Sequence, residues 1–181
     1  KRQQFLKGKP IKELLVPGLT LQFQNLTSFW LDLNPQLAFK IAGRWQAGLG
    51  WNERFAYQLK AREWDIENRM YGMRGFVHFK LKENFWLKAD AEKMNAPLRA
   101  TPIMGSEIIG RGWIWTYFAG IKKDFQFSKY LKGNVQTMYN IYNPDKRSPY
   151  VNRLNVRIGF DFPLYKKNRN KPARGVDQYN P

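Results

Sequence analysis

The chain has 181 residues, and its 31 Lys and Arg against 14 Asp and Glu give a formal net charge of +17 at pH 7. This length accommodates one domain and leaves little room for a second. There is no cysteine, which excludes disulfides, thiolate metal sites and a thiol nucleophile. No apolar run approaches the roughly 18 residues of a transmembrane helix, so that class is excluded as well.

Taken in chain order, eight segments alternate apolar and polar residues with a period of two, the pattern of β-strands with one apolar and one polar face. The clearest places Trp45, Leu49 and Trp51 on one face and Asn52 and Arg54 on the other. Pro35 interrupts the second segment, where it is tolerated at an edge or a bulge. The predicted strands lie at residues 19–24, 29–41, 45–58, 71–81, 85–92, 113–124, 134–141 and 153–164.

The connections between these segments predict how the strands are arranged. Short turns are expected at 42–43, 82–84 and 128–132, and long polar loops at 59–69, 97–111 and 144–151. Outer-membrane barrels alternate short periplasmic turns with longer extracellular loops in this way. We therefore predict an all-β fold, an eight-stranded antiparallel up-and-down transmembrane β-barrel over residues 19–164. Residues 1–18 are then a basic N-terminal periplasmic segment, and residues 165–181 a basic C-terminal periplasmic tail.

Aromatic residues make up 16% of the chain, and the predicted strands place them in two belts. The short-turn ends carry Trp45, Phe85, Phe125, Phe127, Tyr130 and Tyr165. The long-loop ends carry Trp51, Phe55, Tyr57, Tyr71, Trp113, Trp115 and Tyr142. Amphipathic rings prefer the two interfaces of a membrane, although aromatic residues also favour strands in general.

The charge is concentrated at the ends of the chain, since residues 1–12 and 165–181 supply +5 and +4. These basic segments are interpreted either as solvated ends or as contacts to anionic headgroups of the inner leaflet or an acidic periplasmic partner. Two charges interrupt the apolar faces, Glu53 and Lys123, and both are expected near strand ends, where they reach headgroups.

The polar faces also carry charges, and the lumen of an eight-stranded barrel is just wide enough to be filled by side chains. Buried charges persist when they are paired. We therefore expect a closed lumen in which Arg54, Arg74, Lys88, Asp90, Glu92 and Arg157 form a paired network.

The candidate catalytic residues do not support an enzymatic function. His78, the only histidine, is predicted to lie in the lumen near the periplasmic end of its strand, as a hydrogen-bonded residue. Ser106 lies in a long loop at the opposite end, out of the hydrogen-bond reach that general-base activation needs. Gly48 and Gly50 do not form a phosphate-binding loop, because a strand surrounds them and no helix follows. We interpret them as positions that relieve crowding in the lumen. We expect no catalytic, cofactor-binding or metal-binding residues and no cofactor.

The last strand, Arg157 to Leu164 with the sequence RIGFDFPL, resembles the C-terminal β-signal of outer-membrane barrels. The pattern is a polar residue, Gly159 two positions later, and hydrophobic residues at alternate positions, but further residues follow it. The hairpin from Phe29 to Tyr57 resembles the repeated hairpins of outer-membrane barrels of the Bacteroidota. The first resemblance implies recognition by the barrel assembly machinery during insertion.

These patterns predict a non-enzymatic β-barrel in the bacterial outer membrane, acting as an anchor, scaffold or subunit of an envelope complex. The expected partners are outer-membrane lipids, other envelope proteins and the assembly machinery, with no nucleic acid. Three alternatives remain open: a small channel, part of a larger barrel, and a soluble basic β-barrel that binds nucleic acid.

Overall fold

The computed structural model describes residues 10–25, 29–58, 62–99, 108–128, 130–142, 149–150 and 152–164. A short helix, α1 (Ile11–Leu14), precedes eight strands. The strands are β1 (Leu15–Asn25), β2 (Phe29–Lys40), β3 (Trp45–Gln58), β4 (Glu63–Lys82), β5 (Phe85–Arg99), β6 (Ile108–Gln126), β7 (Lys132–Tyr142) and β8 (Leu154–Asp161). No helix among the described residues is long and apolar enough to cross a bilayer.

Each strand pairs with the next in antiparallel orientation, and β8 pairs with β1 to close the barrel. The predicted eight-stranded antiparallel barrel is confirmed. Because β8 pairs with β1, both end strands of the sheet already have a neighbour on each side, and strands of a larger barrel have no place between them. The hypothesis that this chain contributes to a larger barrel is therefore wrong for the described strands.

Buried polar and exposed apolar side chains lie on the two faces of the sheet as the alternation predicts. On β3, Asn52 and Arg54 are buried in the lumen, whereas Leu49 is 73% exposed on the exterior. The same contrast holds on β8, where Arg157 is fully buried and Val156 is exposed. A polar interior inside an apolar exterior is the reverse of a water-soluble barrel. This arrangement argues against the alternative of a soluble barrel that binds nucleic acid.

The strands are longer than predicted at the long-loop end. β4 begins at Glu63, β5 ends at Arg99 and β6 begins at Ile108, so most of the predicted loop 59–69 and part of 97–111 are strand. In β4 the outward positions change from even to odd numbers, from Trp64 and Ile66 to Arg69, because the register to β3 shifts between Asp65 and Met70. This shift interrupts the period-two signal. At the other end of the chain, β1 begins at Leu15, before the predicted barrel start at residue 19.

The alternation of short and long connections is also less regular than predicted. On the long-loop side, β1 and β2 are separated only by residues 26–28. Pro35 lies within β2 and pairs with Leu19 on β1, while the ladder to β3 passes from Leu33 to Gln36 without it. This break accommodates a residue that lacks a backbone N–H.

The boundary between β1 and β8, which we call the seam, is incomplete. The backbone pairing runs from Gly18 opposite Asp161 to Leu21 opposite Ile158 and ends there. Towards the long loops the seam is bridged by side chains instead. Gln22 Nε2 donates a hydrogen bond to Oδ1 of Asn155 over 2.7 Å.

The predicted role of glycine in the lumen is confirmed at one crowded position. A Cβ atom at Gly48 would lie 2.3 Å from Cζ of Phe76 and 2.5 Å from the carbonyl oxygen of Leu37. Both distances are far inside ordinary contact. A side chain at Gly48 would therefore displace Phe76, which is buried in the lumen with Val16 and Ala38.

Candidate functional site

The lumen is the part of this barrel where polar chemistry is concentrated, and Arg157 makes contacts there to three other strand residues. The Arg157 guanidinium is fully buried. Its Nη1 lies 2.7 Å from Oε1 of Glu92 and 3.5 Å from Oδ2 of Asp90, and its Nε donates to Oε1 of Gln22 over 2.9 Å. One arginine of β8 thereby connects β5 to β1 across the interior.

Arg54 forms a second ion pair nearer the long loops. Its Nε and Nη2 each lie 2.5 Å from an oxygen of Asp32, so the guanidinium and carboxylate make a two-pronged contact. Such bidentate pairs are the strongest and most directional ion pairs. The third nitrogen, Nη1, donates to the carbonyl oxygen of Pro149 over 2.5 Å. Arg54 therefore fixes the β7–β8 connection to the wall of the barrel.

Tyr150 brings this connection into the lumen. The Arg54 guanidinium carbon lies 4.3 Å from the centroid of its ring. The Tyr150 hydroxyl donates a hydrogen bond to Glu92 and accepts one of 3.2 Å from Nη2 of Arg157. The sequence pattern does not identify Tyr150, because residues 144–151 have the composition of a polar loop and a single loop aromatic carries no periodic signal.

The middle of the lumen is occupied by Arg74 and Lys88. Lys88 Nζ lies 3.1 Å from Oδ2 of Asp90 and donates to Oε1 of Gln136 over 2.5 Å. Arg74 donates to Oε1 of Gln36 over 2.7 Å, and its Nη1 lies 3.9 Å from the Asp90 carboxylate. The six residues predicted to be paired in the lumen therefore all take part in ion pairs.

Towards the short turns, Lys122 is paired as well. Its Nζ lies 2.5 Å from Oδ2 of Asp161 and 3.4 Å from Oδ1 of Asp124. Trp86 donates its indole N–H to Oδ2 of Asp124 over 2.9 Å. The position of Lys122 on the polar face was predictable, but its partners were not, because they depend on strand register.

The buried charges of the lumen balance. Among the described residues, five buried side chains are basic and five are acidic. The basic ones are Arg54, Arg74, Lys88, Lys122 and Arg157, and the acidic ones are Asp32, Asp90, Glu92, Asp124 and Asp161. The net charge of +17 is therefore carried by residues outside this buried set. Buried charges that cancel offer no single-sign field to attract one kind of ion.

The lumen also contains an apolar cluster near the long-loop end. It is formed by Met70, Met94, Ala96, Ile114, Phe118, Met138 and Tyr150, with Trp30 and Leu98 packed against it. Phe118 and Tyr150 meet edge to face, with ring centroids 5.0 Å apart. These side chains occupy the path between the ionic network and the long-loop end.

Of the two residues considered as catalytic candidates, His78 is among the described residues. His78 is buried in the lumen as predicted, with its ring stacked on Phe76 at a centroid distance of 4.7 Å. Neither ring nitrogen has a hydrogen-bond partner among the described side chains, so the predicted hydrogen-bonded role is not found. Ser106 lies outside the described residues. Within the described part of the chain, no group of three His, Asp or Glu side chains is placed to hold a metal ion.

Charged residues on the exterior differ from the prediction at Glu53. This residue is not at a strand end: it lies within β3, opposite Tyr71 of β4. Its carboxylate accepts the indole N–H of Trp51 over 2.8 Å and lies 3.6 Å from Nη1 of Arg69. The ion pair with Arg69 accommodates this charge on the exterior, away from the end of the strand. Lys123 lies near the end of β6, as predicted.

The lumen and exterior together define the class of protein: an eight-stranded β-barrel of the transmembrane type, with a polar, ion-paired interior and an apolar, aromatic exterior. No protein-family model and no curated protein matches the chain.

Among solved structures, the chain is similar to a de novo designed transmembrane β-barrel, with a TM-score of 0.43 and 12% identity, covering 87% of this chain and 98% of that chain. It is also similar to the N-terminal β-barrel domain of OprF from Pseudomonas aeruginosa, with a TM-score of 0.46 and 10% identity, covering 83% and 97%. At these scores and identities, neither likeness bears on what the protein does.

Proposed function

We propose that the protein is a non-enzymatic β-barrel of the bacterial outer membrane, which serves as an anchor, scaffold or subunit of an envelope complex. The observation that carries this proposal is the charge-balanced, interlocked lumen. Arg157 alone contacts Glu92, Asp90 and Gln22, and removing any member leaves a buried charge or polar group uncompensated. Side chains used in this way support a closed interior and a structural role for the barrel.

A small channel is the alternative of a different class. A polar lumen by itself suits conduction, but conduction needs groups that exchange partners with water and ions. Here Lys88 and Lys122 are buried against carboxylates, and the apolar cluster around Phe118 and Met138 lies towards the long loops. These contacts favour the anchor over the channel.

The outer-membrane location is part of the proposal and rests on the exterior. Exposed aliphatic residues form a band that includes Leu49, Val77, Leu87 and Ile121. At the long-loop end, the ring of Tyr71 lies 6.1 Å from that of Trp51 and 6.0 Å from that of Trp113. An apolar band bordered by aromatic rings suits a bilayer core and its interface. The hairpin 29–57 supports a Bacteroidota type.

The proposed partners follow from the charge of the ends. The basic segments at 1–12 and 165–181 lie outside the described residues except for 10–12. With an even number of strands, both ends leave the barrel on the short-turn side. We propose that they contact anionic headgroups of the inner leaflet or an acidic envelope protein in the periplasm. Recognition by the barrel assembly machinery belongs to the same proposal.

Fractionation of cells that express the full chain tests the proposal. We expect the protein to sediment with outer membranes, to resist extraction by high salt or carbonate, and to require detergent for solubility, because its exposed band is apolar. Affinity isolation in mild detergent then identifies stoichiometric envelope partners. Recovery as a soluble monomer without detergent would contradict the membrane location.

A further inference from the structure

The exterior of the barrel carries one group of positive charges inside the aromatic belt at the long-loop end. It consists of Arg69 on β4, Lys93 on β5 and Arg111 on β6, together with Glu53 on β3. We call these four residues the outer cationic cluster. Sequence analysis singled out Glu53 alone, because Arg69 and Arg111 fell in predicted loops and Lys93 just after a predicted strand.

Strand register places the cluster on one continuous surface. Glu53 lies opposite Tyr71, and Tyr71 lies opposite Asn95. Lys93 lies opposite Trp115 in the next ladder. Alternate residues of a strand share a face, so these side chains all project outward. The cluster therefore spans four adjacent strands on the exterior of the barrel.

Lys93 lies between two indole rings. Its Nζ is 5.8 Å from the centroid of Trp113 and 5.4 Å from that of Trp115. Both rings are about half exposed on the exterior. Cations within about 6 Å of an aromatic face are attracted to it, so the rings hold the ammonium at the surface, with apolar side chains beside it.

The two arginines are positioned around Tyr71. Their guanidinium carbons lie 5.6 Å (Arg69) and 6.0 Å (Arg111) from its ring centroid. Arg111 donates from Nη2 to the carbonyl oxygen of Arg69 over 2.6 Å and from Nε to Oδ1 of Asn95 over 2.8 Å. These contacts bring two like charges to the same ring.

The charge of the cluster is not balanced, unlike that of the lumen. It has three cations and one anion, and the carboxylate of Glu53 lies near Arg69 only, at 3.6 Å. Both arginines are exposed. The cluster thus presents a net positive, aromatic-lined surface directly beside the apolar band.

We propose that the outer cationic cluster binds the anionic phosphate headgroup of a lipid in the leaflet at the long-loop end. This inference rests on the proposed membrane location and deepens it. A headgroup at the interface supplies negative charge at the depth of the aromatic belt, while its acyl chains lie along apolar side chains such as Met73 and Val77. Charge complementarity and continuity with the apolar band thus identify the occupant as a lipid.

The opposite interface offers a matched control. Lys123 on β6 also lies between two rings, with Nζ 5.3 Å from the centroids of both Phe85 and Phe125. It has the same charge and a similar aromatic setting, but it lies at the short-turn end, away from the outer cationic cluster.

The test is a lipid titration of the full chain in dodecyl maltoside, followed by NMR of the indole N–H groups of Trp113 and Trp115. Phosphatidylglycerol is the anionic probe, phosphatidylcholine the zwitterionic lipid control and inorganic phosphate the lipid-free control. We expect saturable shifts with phosphatidylglycerol at Trp113 and Trp115, smaller shifts at Trp45 on the opposite side, and binding that weakens with added salt.

The variants compare the two interfaces. The double variant Lys93→Gln/Arg111→Gln should weaken the apparent affinity roughly 25-fold, about fivefold for each cation removed. Lys123→Gln should leave it unchanged, and the charge-conserving Lys93→Arg/Arg111→Lys should bind like the parent. Heat-modifiable electrophoretic mobility checks that each variant is folded.

Three results would overturn the inference: equal shifts with phosphatidylcholine, equal shifts with inorganic phosphate alone, or an equal loss in Lys123→Gln. If the double variant does not fold, the comparisons of phosphatidylglycerol with phosphatidylcholine and with inorganic phosphate on the parent protein still test the inference. A protein that inserts in membranes but shows no preference for phosphatidylglycerol would overturn this inference and leave the proposed function intact. A protein that does not partition into membranes would overturn both.

Discussion

Replacing Phe162 by Asp is expected to prevent the barrel from reaching the membrane. Phe162 follows the last residue of β8, is exposed on the exterior, and donates its backbone N–H to the carbonyl oxygen of Pro17 over 2.8 Å. It therefore lies where β8 meets β1, within the segment that resembles the β-signal. The new carboxylate would interrupt the apolar pattern of the β-signal and would place a charge on the apolar exterior where β8 closes the barrel. Membrane levels measured by immunoblot should fall by at least about tenfold, and Leu164→Asp should behave similarly.

The control variants separate the signal from general effects of charge. Phe127→Asp places the same charge on an exposed aromatic position in the β6–β7 turn, at the same end of the barrel, and should insert normally. Deletion of residues 166–181 should also leave insertion unchanged, because the signal-like residues end at Leu164. Normal membrane levels of the Phe162→Asp variant would show that the β-signal resemblance is accidental.

Arg157→Leu is expected to have the largest effect on stability. The substitution leaves Glu92 without its closest buried cation and takes from Asp90 one of its buried cations, with Lys88 remaining at 3.1 Å. Breaking a buried ion pair by removing one partner destabilises by about 3 to 5 kcal/mol. The free energy of unfolding in detergent, measured by urea titration, should fall by this amount. The fold itself should persist, because the backbone ladders of the barrel are unchanged.

Arg153→Leu is the matched control, since Arg153 precedes β8 and its side chain is exposed. Its effect should be within about 0.5 kcal/mol. The double variant Arg157→Leu/Glu92→Leu should recover part of the lost stability, because it removes both members of the pair. Equal stabilities of Arg157→Leu and Arg153→Leu would show that the network does not hold the lumen together.

The sequence predicted the strands and their faces because a barrel in lipid exposes every second side chain to a different solvent. Trp45, Leu49 and Trp51 carry this signal clearly, and all are exposed on the exterior of β3. At the long-loop end this alternation is interrupted, because outward residues such as Arg69 and Arg111 are charged and the register of β4 shifts beyond Asp65. That is why the extended ends of β4 and β6 were assigned to loops.

The composition of the lumen was predictable, but its pairing was not. Alternation places Lys122 and Asp161 on the polar face, yet these residues are far apart in sequence, and only closure of the barrel brings their side chains within 2.5 Å. Tyr150 reaches Glu92 and Arg157 from a connection, not from a strand. The incomplete seam between β1 and β8 likewise depends on closure, and no local sequence feature reports it.

Single-channel conductance of the purified wild-type protein in planar bilayers decides whether the lumen is closed. The sample must first be shown to be inserted, for example by protection of the barrel from added protease. The account predicts no stable openings above the bare bilayer at applied potentials of either sign, because five buried cations and five buried anions hold one another in the lumen. Stable openings whose size or ion selectivity changes in Arg74→Leu and Arg157→Leu would contradict it and identify the protein as a small channel.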